Sequence, residues 1–257
     1  MFEKALDAVS TPGRFIFSLA TVAVGIENLV CARYASHTLG AQYEVIPVIP
    51  WLPAIPWLAY AIGVILMACG VGVLFTRTRR MAALILGALM FLGALVLVVP
   101  KYAADLASMG LRTVVFEPLA LASLAWLLPD RADMPGWLTR LSRYALALSL
   151  IVFGVDHFLA LAPIGSLIPA WIPWHLFWVA FFGAALIAAG LGIAIGVLER
   201  PAALGMGLMF GVWVVTLHLP RVLGLYGIPG APTDPDEWSS LLIAVGLWGG
   251  MWGARFS

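Results

Sequence analysis

The sequence predicts an all-α membrane protein with eight transmembrane helices, arranged as two parallel four-helix repeats. Hydrophobic residues make up 63% of the 257 residues, charged residues make up 11%, and the mean hydropathy is +1.02. Soluble domains contain about 25% charged residues, so this composition indicates a chain that crosses a membrane several times. The apolar segments run for roughly 15 to 22 residues, a length that suits helices across a hydrocarbon layer about 30 Å thick.

The repeat is visible as like residues at a constant separation along the chain. Adding 120 to a residue number often reaches the same residue type in the second half. The pairs are Trp51 and Trp171, Pro53 and Pro173, Gly63 and Gly183, Gly70 and Gly190, Arg80 and Arg200, Gly87 and Gly207, Pro100 and Pro220, and Glu117 and Glu237. For the opening helix of each half the separation is 129, which pairs Gly25 with Gly154 and Glu27 with Asp156. We therefore predict a first four-helix unit at residues 1–128, a cytoplasmic linker at 129–142 and a second four-helix unit at 143–257.

The predicted helices follow the apolar segments in order. In the first repeat they cover residues 14–33, 57–76, 81–99 and 113–128. In the second repeat they cover residues 143–161, 175–197, 201–219 and 237–254. The segment from Pro129 to Arg140 is polar and contains proline and glycine, so it is predicted to connect the repeats.

Basic residues predict the orientation of this bundle. Ten of them fall on one side: Lys4, Arg14, Arg77, Arg79, Arg80, Arg131, Arg140, Arg143, Arg200 and Arg255. Four fall on the other: Arg33, Lys101, Arg112 and Arg221. The positive-inside rule then places both termini of a multi-pass inner-membrane protein in the cytoplasm. Four helices per repeat is an even number, so both repeats insert the same way round.

Asp156 and His157 stand side by side in an apolar run and are the principal candidates for the site. Ionisable groups at hydrocarbon depth are costly, and they commonly face a cavity or a partner. Asp156 comes thirteen residues after Arg143, which places it about 20 Å from the cytoplasmic end of its helix. We predict that these two residues carry any catalysis, with Glu27 and Asn28 at the matching position of the first repeat. The alternative is a pair that serves only helix packing.

A polar pocket near the outer leaflet is predicted around this pair. The candidate ligand-binding residues are Glu27, Asn28, Lys101, Glu117, Trp171, His175, His218, Arg221 and Glu237. Glu117 and Glu237 stand at the starts of predicted helices, and a favourable interaction with the helix dipole explains their positions equally well. The segments 47–53 and 169–175 combine prolines and tryptophans, and they are predicted as interfacial anchors or as a re-entrant lid over the pocket.

The histidines do not predict a metal site. His37, His157, His175 and His218 show no HxxH, HxxxH or HExxH spacing, which disfavours haem or metal ligation. An imidazole beside a carboxylate can instead exchange protons near neutral pH. Such a site suits a lipid-soluble quinone, and it suits a polar lipid headgroup or a small solute equally well. The net charge of +1 and the absence of a basic stripe argue against a nucleic-acid partner.

Several motifs in the second repeat resemble the DoxX-like family of membrane proteins. They are Gly154-Val155-Asp156-His157-Phe158, Ile168-Pro169-Ala170-Trp171-Ile172-Pro173, Trp178, Arg200-Pro201-Ala202-Ala203 and Leu217-His218-Leu219-Pro220-Arg221. The resemblance covers residues 143–222, and residues 14–102 match more loosely, with Glu-Asn in place of Asp-His. Members of that family are usually single four-helix units, so this chain would be a tandem duplication. The resemblance implies a redox setting, because one branch of the family is similar to the membrane subunit of a thiosulfate:quinone oxidoreductase.

The expected function is a quinone-linked or redox-complex membrane subunit. The bilayer and the other subunits of such a complex are its expected partners, and quinone is its expected cofactor. The chain on its own is not expected to be an enzyme, and any catalysis would be that of a quinone-dependent oxidoreductase to which it belongs. The alternatives are a non-enzymatic binder or transporter of a lipid or small solute, and a structural subunit of a membrane complex.

Overall fold

A computed structural model describes residues 2–31, 56–99, 109–228 and 230–256, and these residues form helices joined by short turns. The helices are α1 (Phe2–Cys31), α2 (Pro56–Gly72), α3 (Thr76–Gly93), α4 (Met109–Leu127), α5 (Gly136–Leu159), α6 (Leu161–Gly165), α7 (His175–Ile195), α8 (Glu199–Trp213), α9 (Leu219–Val222) and α10 (Pro235–Gly253). Short 3-10 turns cover Arg131–Asp133 and Ala231–Thr233. Each of the eight predicted segments overlaps a helix, and no strand occurs in the ranges given above.

Five helical segments in the described ranges are long and apolar enough to cross a membrane. They are Asp7–Val30, Thr76–Val96, Gly136–Leu159, His175–Ile195 and Glu199–Val222, and α2 adds a shorter apolar stretch, Tyr60–Gly72. Large apolar side chains such as Leu19, Leu148 and Leu208 point outwards on these segments and are more than half exposed. An exterior of this kind is stable in lipid rather than in water. The chain is therefore a helical, membrane-embedded protein.

The long helices pack in chain order, and α1 closes the arrangement by packing on α10. The first helix of each half packs most extensively on two elements: α1 on α2 and α10, and α5 on α7 and α4. Each first helix thus touches the second helix of its own half and the fourth helix of the other half. Fully buried side chains fill the centre, among them Phe17, Leu66, Leu86, Leu124 and Leu150.

Small residues allow the two strongest pairings within the halves to come close. A Cβ atom added to Gly25 would lie 2.7 Å from the carbonyl oxygen of Gly63, and one added to Gly154 would lie 2.6 Å from that of Gly183. Glycine is required here because the backbones of neighbouring helices meet directly. Gly25 and Gly154, on the first helix of each half, are 129 residues apart, and Gly63 and Gly183, on the second helix of each half, are 120 residues apart.

Two irregular features also occur 120 residues apart. Helix α3 continues into a π-helical turn at Ala94–Val98, and α8 continues into one at Val214–His218. A π turn inserts a residue into the helical repeat and is often found at functional sites. The second π turn carries His218 at its end.

Tryptophans on the fourth helices make matching hydrogen bonds to the third helices. The indole nitrogen of Trp126 donates to the carbonyl oxygen of Leu84 at 3.4 Å, and that of Trp252 donates to Leu204 at 3.2 Å. The helices α4 and α10 both contain 19 residues and begin 126 residues apart.

The separation of 126 residues between the starts of α4 and α10 changes the pairing of Glu117 with Glu237 that the sequence suggested. An offset of 126 places Glu117 opposite Ile243, whereas the offset of 120 paired Glu117 with Glu237. The six-residue difference arises because the connection before α10 is longer than the one before α4.

The contact of Trp252 with Gly207 provides a stability prediction. A Cβ atom at Gly207 would lie 2.3 Å from the indole nitrogen of Trp252, so Gly207→Ala should displace the ring and weaken its hydrogen bond. We expect a loss of about 1–3 kcal/mol in the free energy of unfolding, measured by denaturant titration in detergent. Gly205→Ala is the matched control on the same helix, because nothing lies within 4 Å of its added Cβ. An equal loss in both variants would contradict this packing.

Candidate functional site

Asp156 forms a buried ion pair that joins the two halves of the chain. It lies on α5 and is 4% exposed. The guanidinium of Arg112 on α4 donates twice to the same carboxylate oxygen, Oδ1, from Nε at 2.9 Å and from a terminal nitrogen at 2.7 Å. The other oxygen, Oδ2, is buried and has no hydrogen-bond partner. Asp156 therefore has one neutralised oxygen and one free acceptor.

His157 follows Asp156 and keeps one ring nitrogen available. Its Nδ1 lies 2.7 Å from the carbonyl oxygen of Phe153, one turn earlier on α5. Since a carbonyl can only accept, Nδ1 carries a proton, and Nε2 of the neutral ring is then a hydrogen-bond acceptor. Nε2 is buried and has no partner. An unsatisfied buried nitrogen of this kind requires an explanation, and a ligand is one.

A row of aromatic rings begins at the imidazole of His157. The ring of Trp213 lies 5.5 Å from it, centroid to centroid, and tilts by 47°. Phe182 packs edge-on against Trp213 at 5.3 Å, and Trp178 stacks on Phe182 at 5.9 Å. These rings continue from His157 towards the start of α7, where Phe177 is exposed. His157 is thus in contact with an apolar, aromatic part of the bundle.

The matching position in the first half has a related arrangement. Glu27 on α1 accepts a 2.6 Å hydrogen bond at Oε1 from the hydroxyl of Ser239 on α10, and its Oε2 is buried without a partner. Asn28 is fully buried, with its amide nitrogen donating to Val24 at 2.9 Å and its Oδ1 unpartnered. Both acids thus bond the fourth helix of the other half. The partner of Glu27 is a hydroxyl from the second half, whereas the partner of Asp156 is an arginine from the first half.

A second ion pair lies near the end of α8. The guanidinium of Arg221 on α9 binds both carboxylate oxygens of Glu237 on α10, with Nε 2.8 Å from Oε2. His218 is half-buried and close enough to sense both charges. No hydrogen bond or ion pair between described residues links these three groups to Asp156 or His157. The predicted pocket residues therefore occur as separate clusters.

The connection from α6 to α7 forms an open groove at the predicted outer surface. Ala170, Ile172, Pro173, Trp174, His175, Leu176 and Phe177 line it, with a volume of about 840 Å³. Trp171 and Trp174 are 68% and 76% exposed. His175 lies 3.2 Å from the carbonyl oxygen of Pro169, which closes the turn. Asp156 and His157 are not among the residues that line this groove.

Trp174 adopts a backbone conformation that is uncommon for a bulky residue. Its φ of 59° is the positive value of a left-handed turn, and it immediately precedes α7. Such a conformation costs about 1–3 kcal/mol and persists only where the surroundings enforce it. It directs the exposed indole ring away from the bundle at the start of the helix.

The remaining predicted site residues contribute less to these clusters. Glu117 is half-buried on α4, five residues after Arg112. Lys101, His37 and the segment 47–53 lie outside the residues that the structure describes. In the described parts of the chain, no group of three or more His, Cys, Asp or Glu side chains is placed to hold a metal ion.

Arg112 is the functional residue that the sequence did not identify. Its placement on the same side as Asp156 followed from the topology, but no spacing in the sequence shows that α4 packs on α5. The sequence offered one signal for such a residue. Burying the carboxylate of Asp156 costs free energy unless a cation from a neighbouring helix pairs with it. Three arginines and lysines besides Arg112 were assigned to that side, so the sequence did not select among them.

Comparisons with protein-family models, with curated proteins and with solved structures gave no match. The fold and the site define a helical membrane protein with a buried polar centre between its two halves.

Proposed function

We propose that the chain is a tandem duplication of a DoxX-like four-helix unit that spans the inner membrane eight times. The glycine contacts, the π turns and the tryptophan hydrogen bonds recur at constant separations, which supports two equivalent units. Arg14 lies near Arg79 and Arg255, and this arginine-rich end supports cytoplasmic termini. Reactivity of single cysteines placed at Ala8 and at Thr233, both exposed, in a variant without Cys31 and Cys69 and probed from each side of the membrane, tests this orientation.

We further propose that the second half binds a quinone head group next to His157, as a membrane subunit of a redox complex. The buried, unpartnered Nε2 of His157 is the observation on which this proposal depends. The reduced form of a quinone, a quinol, is flat and largely apolar, and its hydroxyl groups donate hydrogen bonds, so it matches the acceptor nitrogen of His157 beside Trp213 and Phe182. When bound, a quinone supplies two-electron, two-proton chemistry.

The residues of the chain would have defined roles at such a site. The bond from Nδ1 to Phe153 fixes the ring of His157 and leaves Nε2 to accept a proton from a hydroxyl group. The unpartnered Oδ2 of Asp156 lies on the adjacent residue and would stabilise the imidazolium that results. The ion pair with Arg112 holds the carboxylate of Asp156 in place, so Asp156 has a positioning role beside His157.

The open groove at residues 170–177 favours a second candidate, the binding of a lipid or small solute without catalysis. Its lining is largely apolar, and exposed tryptophans stand at its edge. Tryptophans prefer the headgroup level of a bilayer, so a lipid would reach this groove directly. A purely structural role is the third candidate, in which the Arg112–Asp156 pair serves only to join helices.

Extraction of bound quinone from the purified protein separates these candidates. We expect quinone to co-purify with the wild type, and His157→Phe to reduce the amount about tenfold at equal protein. That ratio corresponds to about 1.4 kcal/mol, the net value of one hydrogen bond. Phe keeps the ring and removes Nε2, so the bundle should stay folded.

Trp137→Phe is the control for this experiment, because Trp137 is exposed at the opposite end of α5. It should retain as much quinone as the wild type. Absence of quinone from the wild type would contradict the redox proposal. Retention of phospholipid that is lost in Trp174→Ala would then support the second candidate.

A further inference from the structure

We propose that a cleft at the cytoplasmic end of the bundle binds a phosphate group. Four arginines line it, namely Arg131, Arg140, Arg143 and Arg255, together with the carboxylate of Glu199. These residues come from the turn before α5, from α5 itself, from the start of α8 and from the segment after α10. The cleft is thus assembled from distant parts of the chain, and it is separate from the outer site described above.

The cleft is shallow and half-open. Its enclosed part is only about 20 Å³, so a phosphate group would lie at its mouth with an oxygen atom directed inwards. Thr139 contributes a hydroxyl to the lining, and the buried side chains of Leu127 and Phe256 form an apolar part of the wall. A tetrahedral anion with a hydrocarbon tail would find partners for both of its parts.

Arg143 has a hydrogen-bond donor that the protein does not use. One terminal nitrogen lies 3.4 Å from Glu199, and the other donates to the hydroxyl of Tyr144 at 3.0 Å. The Nε donor is buried and has no partner. A guanidinium presents its donors as a planar fork that matches phosphate oxygens, so the unused donor indicates an anion as the missing partner.

The charges around the cleft leave an excess of positive charge. The lining contains four arginines and one carboxylate, that of Glu199, which is buried and lies 3.4 Å from Arg143. Arg255 lies 3.7 Å from Asp7 and 3.5 Å from Asp130, and both carboxylates are mostly exposed to solvent. Exposed pairs at such distances are weak. These acids therefore do not cancel the positive charge of the arginines, and the remaining charge attracts an anion.

Two sources can supply the phosphate: the headgroup of an anionic phospholipid, or free phosphate in the cytoplasm. Basic pockets between transmembrane helices on the cytoplasmic side bind anionic lipid headgroups. The apolar wall formed by Leu127 and Phe256 adds contact for a lipid and none for free phosphate. The chemistry at the arginines is the same in both cases.

Native mass spectrometry of the full chain in detergent tests this proposal. The probes are phosphatidylglycerol and phosphatidylcholine offered in equal amounts, with and without millimolar inorganic phosphate. We expect preferential retention of phosphatidylglycerol, and about fivefold weaker retention in Arg140→Gln, because one basic residue near anionic lipid contributes about 1 kcal/mol. Arg140 is exposed, so its replacement should leave the fold intact. Arg143→Lys keeps the charge, loses the Nε donor and should weaken retention to a smaller degree.

Arg80→Gln is the matched control, since it removes the same charge from an exposed arginine at the start of α3, outside the cleft. Phosphatidylglycerol that resists inorganic phosphate identifies a lipid headgroup as the source. Displacement of phosphatidylglycerol by inorganic phosphate identifies free phosphate as a ligand of the same site. Equal retention of both lipids with no effect of phosphate, or equal losses in Arg140→Gln and Arg80→Gln, would overturn the proposal.

Discussion

Replacing Asp156 by asparagine should lower the free energy of unfolding by about 3–5 kcal/mol, because Arg112 then loses the carboxylate that neutralises it. The side chains of Arg112 and Asp156 are 17% and 5% exposed, so water replaces the lost carboxylate only in part. Arg112→Met should cost a similar amount, since it leaves the carboxylate buried without a cation. Unfolding of the purified protein by a denaturing detergent measures both values.

The double variant Arg112→Met with Asp156→Leu is the decisive control for this ion pair. Removing both charges together avoids an isolated charge, and buried pairs replaced by apolar residues are often neutral or even stabilising. We therefore expect the double variant to be more stable than either single variant. Additive losses in the double variant would show that the two side chains do not act as a pair.

Gly249→Ala should be the most damaging of the glycine substitutions on α10. A Cβ atom at this position would lie 2.3 Å from the backbone nitrogen of Phe17 and 2.8 Å from the carbonyl oxygen of Gly13. Backbone atoms cannot rotate away as a side chain can, so α1 and α10 must separate. We expect a loss of about 3 kcal/mol, at the upper end of the range for overpacking. The yield of protein in the membrane and its detergent stability report this loss.

Gly246→Ala is the control on the same helix for this packing. Its added Cβ would meet the flexible end of the Leu121 side chain at 2.9 Å and no backbone atom of α1. Leu121 can change its side-chain conformation, so the cost should stay below about 1.5 kcal/mol. Equal losses at Gly246 and Gly249 would contradict the close backbone approach.

The sequence predicted the helices because their signals are local. A long apolar segment must be helical in lipid, where each backbone group needs an internal partner. The ends of the helices were predicted less well. α1 starts at Phe2 and α5 at Gly136, whereas the predicted spans begin at residues 14 and 143. Hydropathy marks where a chain enters the membrane, and helical hydrogen bonding begins before that point.

The site was predicted only in part, because its contacts depend on the relative register of separate helices. The carboxylate of Asp156 could be singled out from its cost in lipid alone. Its partner Arg112 is 44 positions away. The sequence also grouped His218, Arg221 and Glu237 with Asp156 by depth, but depth does not specify which side of the bundle a residue faces. The described contacts place the Arg221–Glu237 pair in a cluster of its own.

The central claim is that the free Nε2 of His157 accepts a hydrogen bond from a quinol, and a binding titration tests it most directly. A short-chain quinol, kept reduced, is added to the purified protein, and quenching of tryptophan fluorescence is followed in the wild type, His157→Phe and His175→Phe. We predict saturable quenching in the wild type and about tenfold weaker binding in His157→Phe. Binding should be unchanged in His175→Phe, because the ring of His175 lines the separate groove. Unchanged binding in His157→Phe, or a loss confined to His175→Phe, would contradict the account.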